Sequence, residues 1–253
     1  MKYRNSGPLK QELAGLIDGF ALYVPPMPTA RNRLRSGSLI ALMLLIGASA
    51  GCPSMESLPS QAPVQDVIEE RSGSSYLLYV PSTYNDKRRW PLVVVTHGTW
   101  PYDTAELQMR EWASFAENRG LIVAAPRLVA TKGDFPPSPE KQIALQQQDE
   151  QTLLGVVAAL KRKYSIIEEQ VFMTGWSAAA YSILYTGLRN PDVFRALAIR
   201  QGTFDPKFLD IPKDRFDRWQ AIKVIYGQAD FLRDQTVDSI KWLRDNGMYV
   251  DQE

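Results

Sequence analysis

One cysteine, Cys52, and one histidine, His97, stand in 253 residues. A single cysteine excludes an internal disulfide, and one of each cannot compose a Cys/His zinc cluster. Charge of either sign is not in excess: 29 basic and 28 acidic residues leave a formal net charge of +1. Nothing therefore points to nucleic acid or to an acidic polymer as partner. No apolar run reaches the ~20 residues that a membrane-spanning helix needs. What remains is an apolar fraction of 45%, ample for the core of one ordinary domain with a tail.

The tail has its own character. A basic segment, "RNRLRSGS", leads into "LIALMLLIGASAG" and then Cys52. Basic residues, a short apolar core and small residues before a break describe a secretory signal over 27–52. The small residues directly before Cys52 resemble the bacterial lipobox, with Ser49 where leucine is usual. Cleavage there would leave Cys52 as a lipid-bearing N-terminus and tether the protein to a membrane; the alternative is ordinary signal cleavage with an incidental cysteine. Either way the protein is expected to be exported, to the periplasm or cell envelope if lipidated and otherwise secreted. Residues 1–26 do not fit a signal, and Met27 is the expected translation start, which makes the earlier residues a non-native extension. Residues 53–65 are rich in Pro and Ser and are expected to form a flexible linker. The folded domain is expected over 66–253.

From there strand and helix signals alternate. "VIEER" and "YLLYVP" read as a hairpin pair. "PLVVVTHG" and "LIVAAP" are continuous apolar runs, as expected of strands buried on both faces. "TAELQMREWASFAENRG" and "KQIALQQQDEQTLLGVVAALKRKY" have helical spacing. "QVFMTG", "ALAIRQG" and "IKVIYGQAD" read as further strands, "SAAAYSILYTGLRN" and "DQTVDSIKWLRDNG" as helices, and "MYVDQE" as the start of a last strand. Such alternation implies an α/β fold with a mostly parallel sheet covered on both faces. Ligands on such sheets bind at the carboxyl ends of the strands, which draws attention to His97-Gly98, Gly175-Trp176-Ser177, Gly202 and Asp230.

A serine hydroxyl is a poor nucleophile unless it is held exposed and given a base. Ser177 lies between an apolar strand and an alanine-rich helix, in Gly175-Trp176-Ser177-Ala178-Ala179. A tight strand-to-helix turn needs small residues on both sides and places the serine at a helix N-terminus, where N–H groups favour an oxyanion. Ala179 stands where the usual pattern has its second glycine. The alternative for Ser177 is N-cap of an ordinary helix. After His97-Gly98, the N–H of Thr99, with Trp100 second, and that of Ala178 are candidate oxyanion donors. His97 and Gly98 would then support the oxyanion loop; as the chain's one histidine, His97 could alternatively be the general base. Asp230 could orient a histidine or cap the next helix, with Asp205 a weaker second acid. Trp100, Tyr102 and Trp176 could line a substrate pocket or pack as core.

Taken in order, the strand ending at His97-Gly98, the elbow around Ser177 and the strand ending at Asp230 resemble the alpha/beta-hydrolase superfamily. The secreted bacterial esterases are most similar: the polyhydroxybutyrate depolymerase, feruloyl esterase and phospholipase/carboxylesterase-like group. "LLYVPSTY…WPLVVVTHG" and "NPDVFRALA" add to the likeness, which spans roughly Val67 to Asp251. The resemblance implies a three-layer fold whose last strand and helix are incomplete here. It implies ester hydrolysis without cofactor or metal, on a small-molecule or polymer ester. Ser177 would be nucleophile, Thr99 and Ala178 the oxyanion hole, and Asp230 the acid that orients a histidine. That histidine follows the last strand in the family, and no residue here matches it. Three readings are open: a truncated chain, a catalytically inactive binding module tethered to a membrane, or a base supplied by His97 or a partner.

Overall fold

The computed structural model describes residues 62–132 and 137–253. The expected signal, Cys52, the N-terminal extension and most of the expected linker lie outside the described residues. Eight strands form one sheet: β1 Gln65–Ile68, β2 Ser75–Tyr79, β3 Trp90–Thr96, β4 Ile122–Pro126, β5 Ile166–Trp176, β6 Ala196–Arg200, β7 Ala221–Ile225 and β8 Val250–Gln252. Their order is β1-β2-β4-β3-β5-β6-β7-β8. The β1–β2 hairpin is antiparallel and joins β4 antiparallel; every other pairing is parallel.

Among the described residues four α-helices cover the sheet: α1 Ala105–Arg119, α2 Pro139–Lys163, α3 Ala179–Arg189 and α4 Arg233–Asp245. Their ends are chemically marked. Thr104 caps α1 by accepting from the Leu107 N–H, and Gly120 closes it in the left-handed region at φ 67°, where the absence of a Cβ removes the steric cost. Ser138 caps α2, with Pro139 at its first turn.

The continuous apolar strands are buried on both faces, as their composition requires. One layer of core joins Leu92, Val94 and Met173 of the sheet to Leu153 and Val157 of α2, Ile183 and Leu184 of α3 and Ile240 and Leu243 of α4. The opposite face packs Val93, Val95 and Val123 against Met109, Trp112 and Ala116 of α1. The molecule is thus three-layered, α/β/α. Among the described residues no helix is long and apolar enough to cross a membrane.

The chain runs from β3 to β4 on one side, then returns to place β5 on the other side of β3. The connections therefore diverge between β3 and β5, where Thr96 is in register with Gly175. In open α/β sheets such a switch point leaves a crevice outside the strand ends. The sequences that follow are His97-Gly98-Thr99 from β3 and Ser177 from β5.

Candidate active site

The turn from β5 to α3 is closely packed. Ser177 has φ 59°, a left-handed conformation that costs a non-glycine residue roughly 1–3 kcal/mol and is held only where the surroundings over-determine it. The surroundings do so. Ser177 N–H donates to the Arg200 carbonyl at 3.1 Å, and its own carbonyl accepts from Ala180 at 3.1 Å and Thr203 at 3.2 Å. A Cβ on Gly175 would lie 2.5 Å from the Ala179 Cβ and 2.5 Å from the Thr96 carbonyl oxygen. One on Gly202 would lie 2.7 Å from the Ala180 Cβ. Small residues are therefore needed where helix crosses strand, and Ala179 is the small partner of Gly175. The N-cap position of α3 belongs to Ala178, with no side-chain capping bond; Ser177 does not cap the helix.

The β3 loop comes close to the elbow. A Cβ on Gly98 would lie 2.9 Å from the Trp176 carbonyl oxygen and 3.3 Å from the Ser177 Cβ. Gly98 N–H donates to the Asp103 carboxylate at 2.6 Å, and Tyr102 and Asp103 N–H groups both donate to the Thr99 carbonyl at 3.0 Å. The Trp100 N–H is already donated to the Thr131 carbonyl at 3.0 Å, so Trp100 does not serve as a second free donor. The N–H groups of Thr99 and Ala178 donate to no acceptor among the described residues. These two amides directly follow Gly98 and Ser177, the residues that pack closely across the crevice.

His97 is 2% exposed. Its Nε2 accepts the Leu128 N–H at 3.0 Å, and Nδ1 lies 3.0 Å from the Gly98 carbonyl oxygen. An acceptor at Nε2 leaves the ring proton on Nδ1, donated to Gly98. Burial lowers the imidazole pKa below its ordinary value, opposed by the Gly98 bond and the Asp103 charge. The ring is thus held neutral between the β3 and β4 loops.

The β4 loop has a second anchor. Asp149 of α2 is buried and accepts from Val129 N–H at 2.8 Å and Ala130 N–H at 2.9 Å. Desolvation raises its pKa to about 6, against the pull of those two bonds.

On the other flank, Asp230 is half-buried at the turn before α4. Its Oδ1 accepts the Leu232 N–H at 2.7 Å and its Oδ2 accepts from the Gln201 amide at 2.7 Å. Gln201 itself has φ 48° and accepts the Trp176 indole N–H at 2.7 Å. Asp230 therefore braces a turn and is linked to the elbow through Gln201. Asp205 is used locally: it caps the short 3-10 turn Pro206–Phe208 and pairs with Lys207 at 2.7 Å. Trp100 and Tyr102 are exposed, Tyr102 at 83%, and Trp176 is half-buried beside Ser177. Among the described residues no three His, Cys, Asp or Glu side chains gather as a metal site.

Gln201, Asp103 and Gln108 are absent from the residues that the sequence marks. Gln201 follows Arg200 at a strand end, and its glutamine type carries no signal. Asp103 directly precedes the helix cap Thr104 and reads as part of a cap.

No protein-family model matches the chain, and none of the curated proteins matches it in sequence. Solved structures do match. A CE1 ferulic acid esterase from Anaeromyces mucronatus is 15% identical, with a TM-score of 0.63 over 80% of this chain and 87% of that one. The fluorophosphonate-binding serine hydrolase FphF of Staphylococcus aureus is 14% identical, with a TM-score of 0.56 over 76% of this chain and 90% of that one. S-formylglutathione hydrolase from the same bacterium gives 14% and 0.55 over 76% and 86%. At these identities the likeness is one of architecture: the chain has the alpha/beta-hydrolase fold.

Proposed function

We propose that this protein is a serine hydrolase of carboxylic esters, with Ser177 as nucleophile. The observation that carries the reading is the left-handed Ser177 at the β5–α3 turn, held there by packing that admits only small residues. A strained serine on such an elbow presents its hydroxyl to the crevice rather than to the helix. The Ser177 hydroxyl oxygen would bond to the ester carbonyl carbon, and the carbonyl oxygen would gather negative charge. The Thr99 and Ala178 N–H groups are the donors for that charge, fixed before the reaction begins. Collapse would break the bond to the alcohol oxygen, which leaves with the proton that the Ser177 hydroxyl has given up through water, and a further water would hydrolyse the acyl-Ser177 ester. Asp230 is the acid that would orient a base.

The base is the weak link. His97, the chain's one histidine, is neutral, buried and bonded through both ring nitrogens. We assign it to the loop. Donors without a base sustain a residual acceleration of ~10³–10⁴ over water, so the 253 residues alone are expected to turn over slowly. The same commitment of His97 favours a second reading, an ester-binding module that uses the elbow and the two N–H groups without turnover. Export, with Cys52 as the lipid site, belongs to the proposal on the strength of residues 27–52 alone.

A fluorophosphonate probe separates the readings. Covalent labelling that maps to Ser177 and is lost in Ser177→Ala supports the hydrolase. A chain that stays unlabelled after prolonged exposure, yet binds a non-hydrolysable ester analogue, is the binding module.

A further inference from the structure

Behind the two candidate oxyanion donors lies a chain of buried side chains. Asp103 accepts the Gly98 N–H at 2.6 Å and the Gln108 amide at 2.9 and 3.1 Å. The Gln108 side-chain oxygen accepts from Arg200 Nη2 at 2.9 Å. Arg200 Nη1 is paired with Glu111. Asp103 and Gln108 are 3% exposed and Arg200 is 7% exposed. The backbone of Arg200 closes the circuit, because its carbonyl accepts the Ser177 N–H at 3.1 Å. Arg200 also stands beside Trp176 in the β5–β6 register.

We infer that Asp103, Gln108 and Arg200 form a positioning relay that fixes the Thr99 N–H against the Ala178 N–H, with Gln108 as its polarity-setting member. This deepens the hydrolase reading and rests on it for its catalytic meaning. Thr99 follows Gly98 directly, so a carboxylate clamped on the Gly98 N–H sets the plane of the loop that carries the Thr99 donor. Ala178 follows Ser177 directly, so the Arg200 carbonyl sets the other. Gln108 joins them. Its NH₂ faces a carboxylate and its oxygen faces a guanidinium, which fixes the amide orientation. Neither a hydrocarbon nor an anion of that length can do both. None of the three residues touches substrate; they act through the two amides.

Gln108→Glu tests the relay, because it keeps shape and changes only the donor. The new carboxyl group faces Asp103. Two carboxylates sharing a site cannot both ionise readily. At alkaline pH they repel and the Gly98 clamp loosens; at acid pH the added proton restores a donor to Asp103. Two readouts are needed. In the first, the rate of Ser177 labelling by a fluorophosphonate is taken as a ratio to wild type at matched pH. The ratio is expected to be about tenfold below unity at pH 8, less than the ~10²–10³ for outright removal of an oxyanion donor, and to climb towards unity at pH 5. A ratio independent of pH overturns the relay, since simple loosening of the fold would give that. In the second, the Gly98 amide proton is followed by NMR in the unliganded chain. Its resonance is expected to move upfield in Gln108→Glu at pH 8 and to return at pH 5. A Gly98 resonance that does not move overturns the relay without any reference to activity. Failure of the hydrolase reading has a different signature: wild type itself stays unlabelled while the Gly98 resonance still responds.

Discussion

The Leu128 N–H points at His97 Nε2 from 3.0 Å. That bond decides the role of the histidine. The ring nitrogen that would have to take a proton already holds a buried backbone donor, and its other nitrogen is bonded to Gly98. His97 joins the β3 loop to the β4 loop.

Replacing His97 by alanine should therefore cost stability first. The buried Leu128 N–H would be stranded, a loss of roughly 1–3 kcal/mol before any cavity is counted. Chemical denaturation measures it. The sign with pH follows from the lowered imidazole pKa. The unfolded chain binds a proton near 6.5, the folded chain only below that, so the contribution of His97 is full above 6.5 and fades as pH falls. A stable His97→Ala chain that loses all Ser177 labelling would instead identify His97 as the base.

If these residues lack a base, an added one should help. Imidazole at tens of millimolar is expected to accelerate turnover of an activated aryl ester by wild type, above its effect on the ester in buffer. Ser177→Ala should abolish that excess. Asp230 uses two of its about four acceptor positions on Leu232 and Gln201, which leaves room for an imidazole N–H. Asp230→Asn should lower the acceleration severalfold and cost about 1 kcal/mol for the lost Gln201 bond. Equal acceleration in Asp230→Asn would remove Asp230 from the site.

Gly175→Ala should disturb the elbow. The added methyl group meets Ala179 and the Thr96 carbonyl at 2.5 Å, and overpacking of this kind costs about 1–3 kcal/mol. Labelling of Ser177 should fall with it. A variant as stable as wild type, with an unchanged labelling rate, would show that the tight crossing is not what holds the serine.

Asp149 makes the β4 loop sensitive to acid in an unusual direction. Its folded pKa is raised to about 6 from 3.8. The protonated form is favoured by folding, so this stabilisation is present below about 4 and is lost as pH rises through 6. Over that window the stability of wild type relative to Asp149→Asn should drop by about 3 kcal/mol. Denaturant titrations at pH 4 and pH 7 give the two differences; equal values would place the carboxyl group in a wetter site than the structure shows.

The strands could be read because their burial is written in composition. "PLVVVTHG" and "LIVAAP" have no polar face, and both are central. The elbow could be read because small residues must cluster where a helix crosses a strand, as Gly175 and Ala179 do. The polar wiring could not. His97 meets Leu128 across 31 positions, and Arg200 meets Gln108 across 92. Such pairs depend on which strands become neighbours, and no local pattern specifies that. Asp230 shows the same limit: its place before the next helix suggests a cap, but the N-cap is Leu232 with no side-chain bond, and nothing local marks the tie of Asp230 to Gln201.

One rim of the sheet carries a consequence for how copies of this protein meet. Among the described residues that rim is β1, four residues long. Its Asp66 is exposed and paired with Arg127 at 2.9 Å. A rim this short and this charged gives a second molecule little backbone to pair with. Strand-to-strand growth is thereby discouraged at β1, while the apolar strands β3 and β4, whose edges would invite it, are paired on both sides.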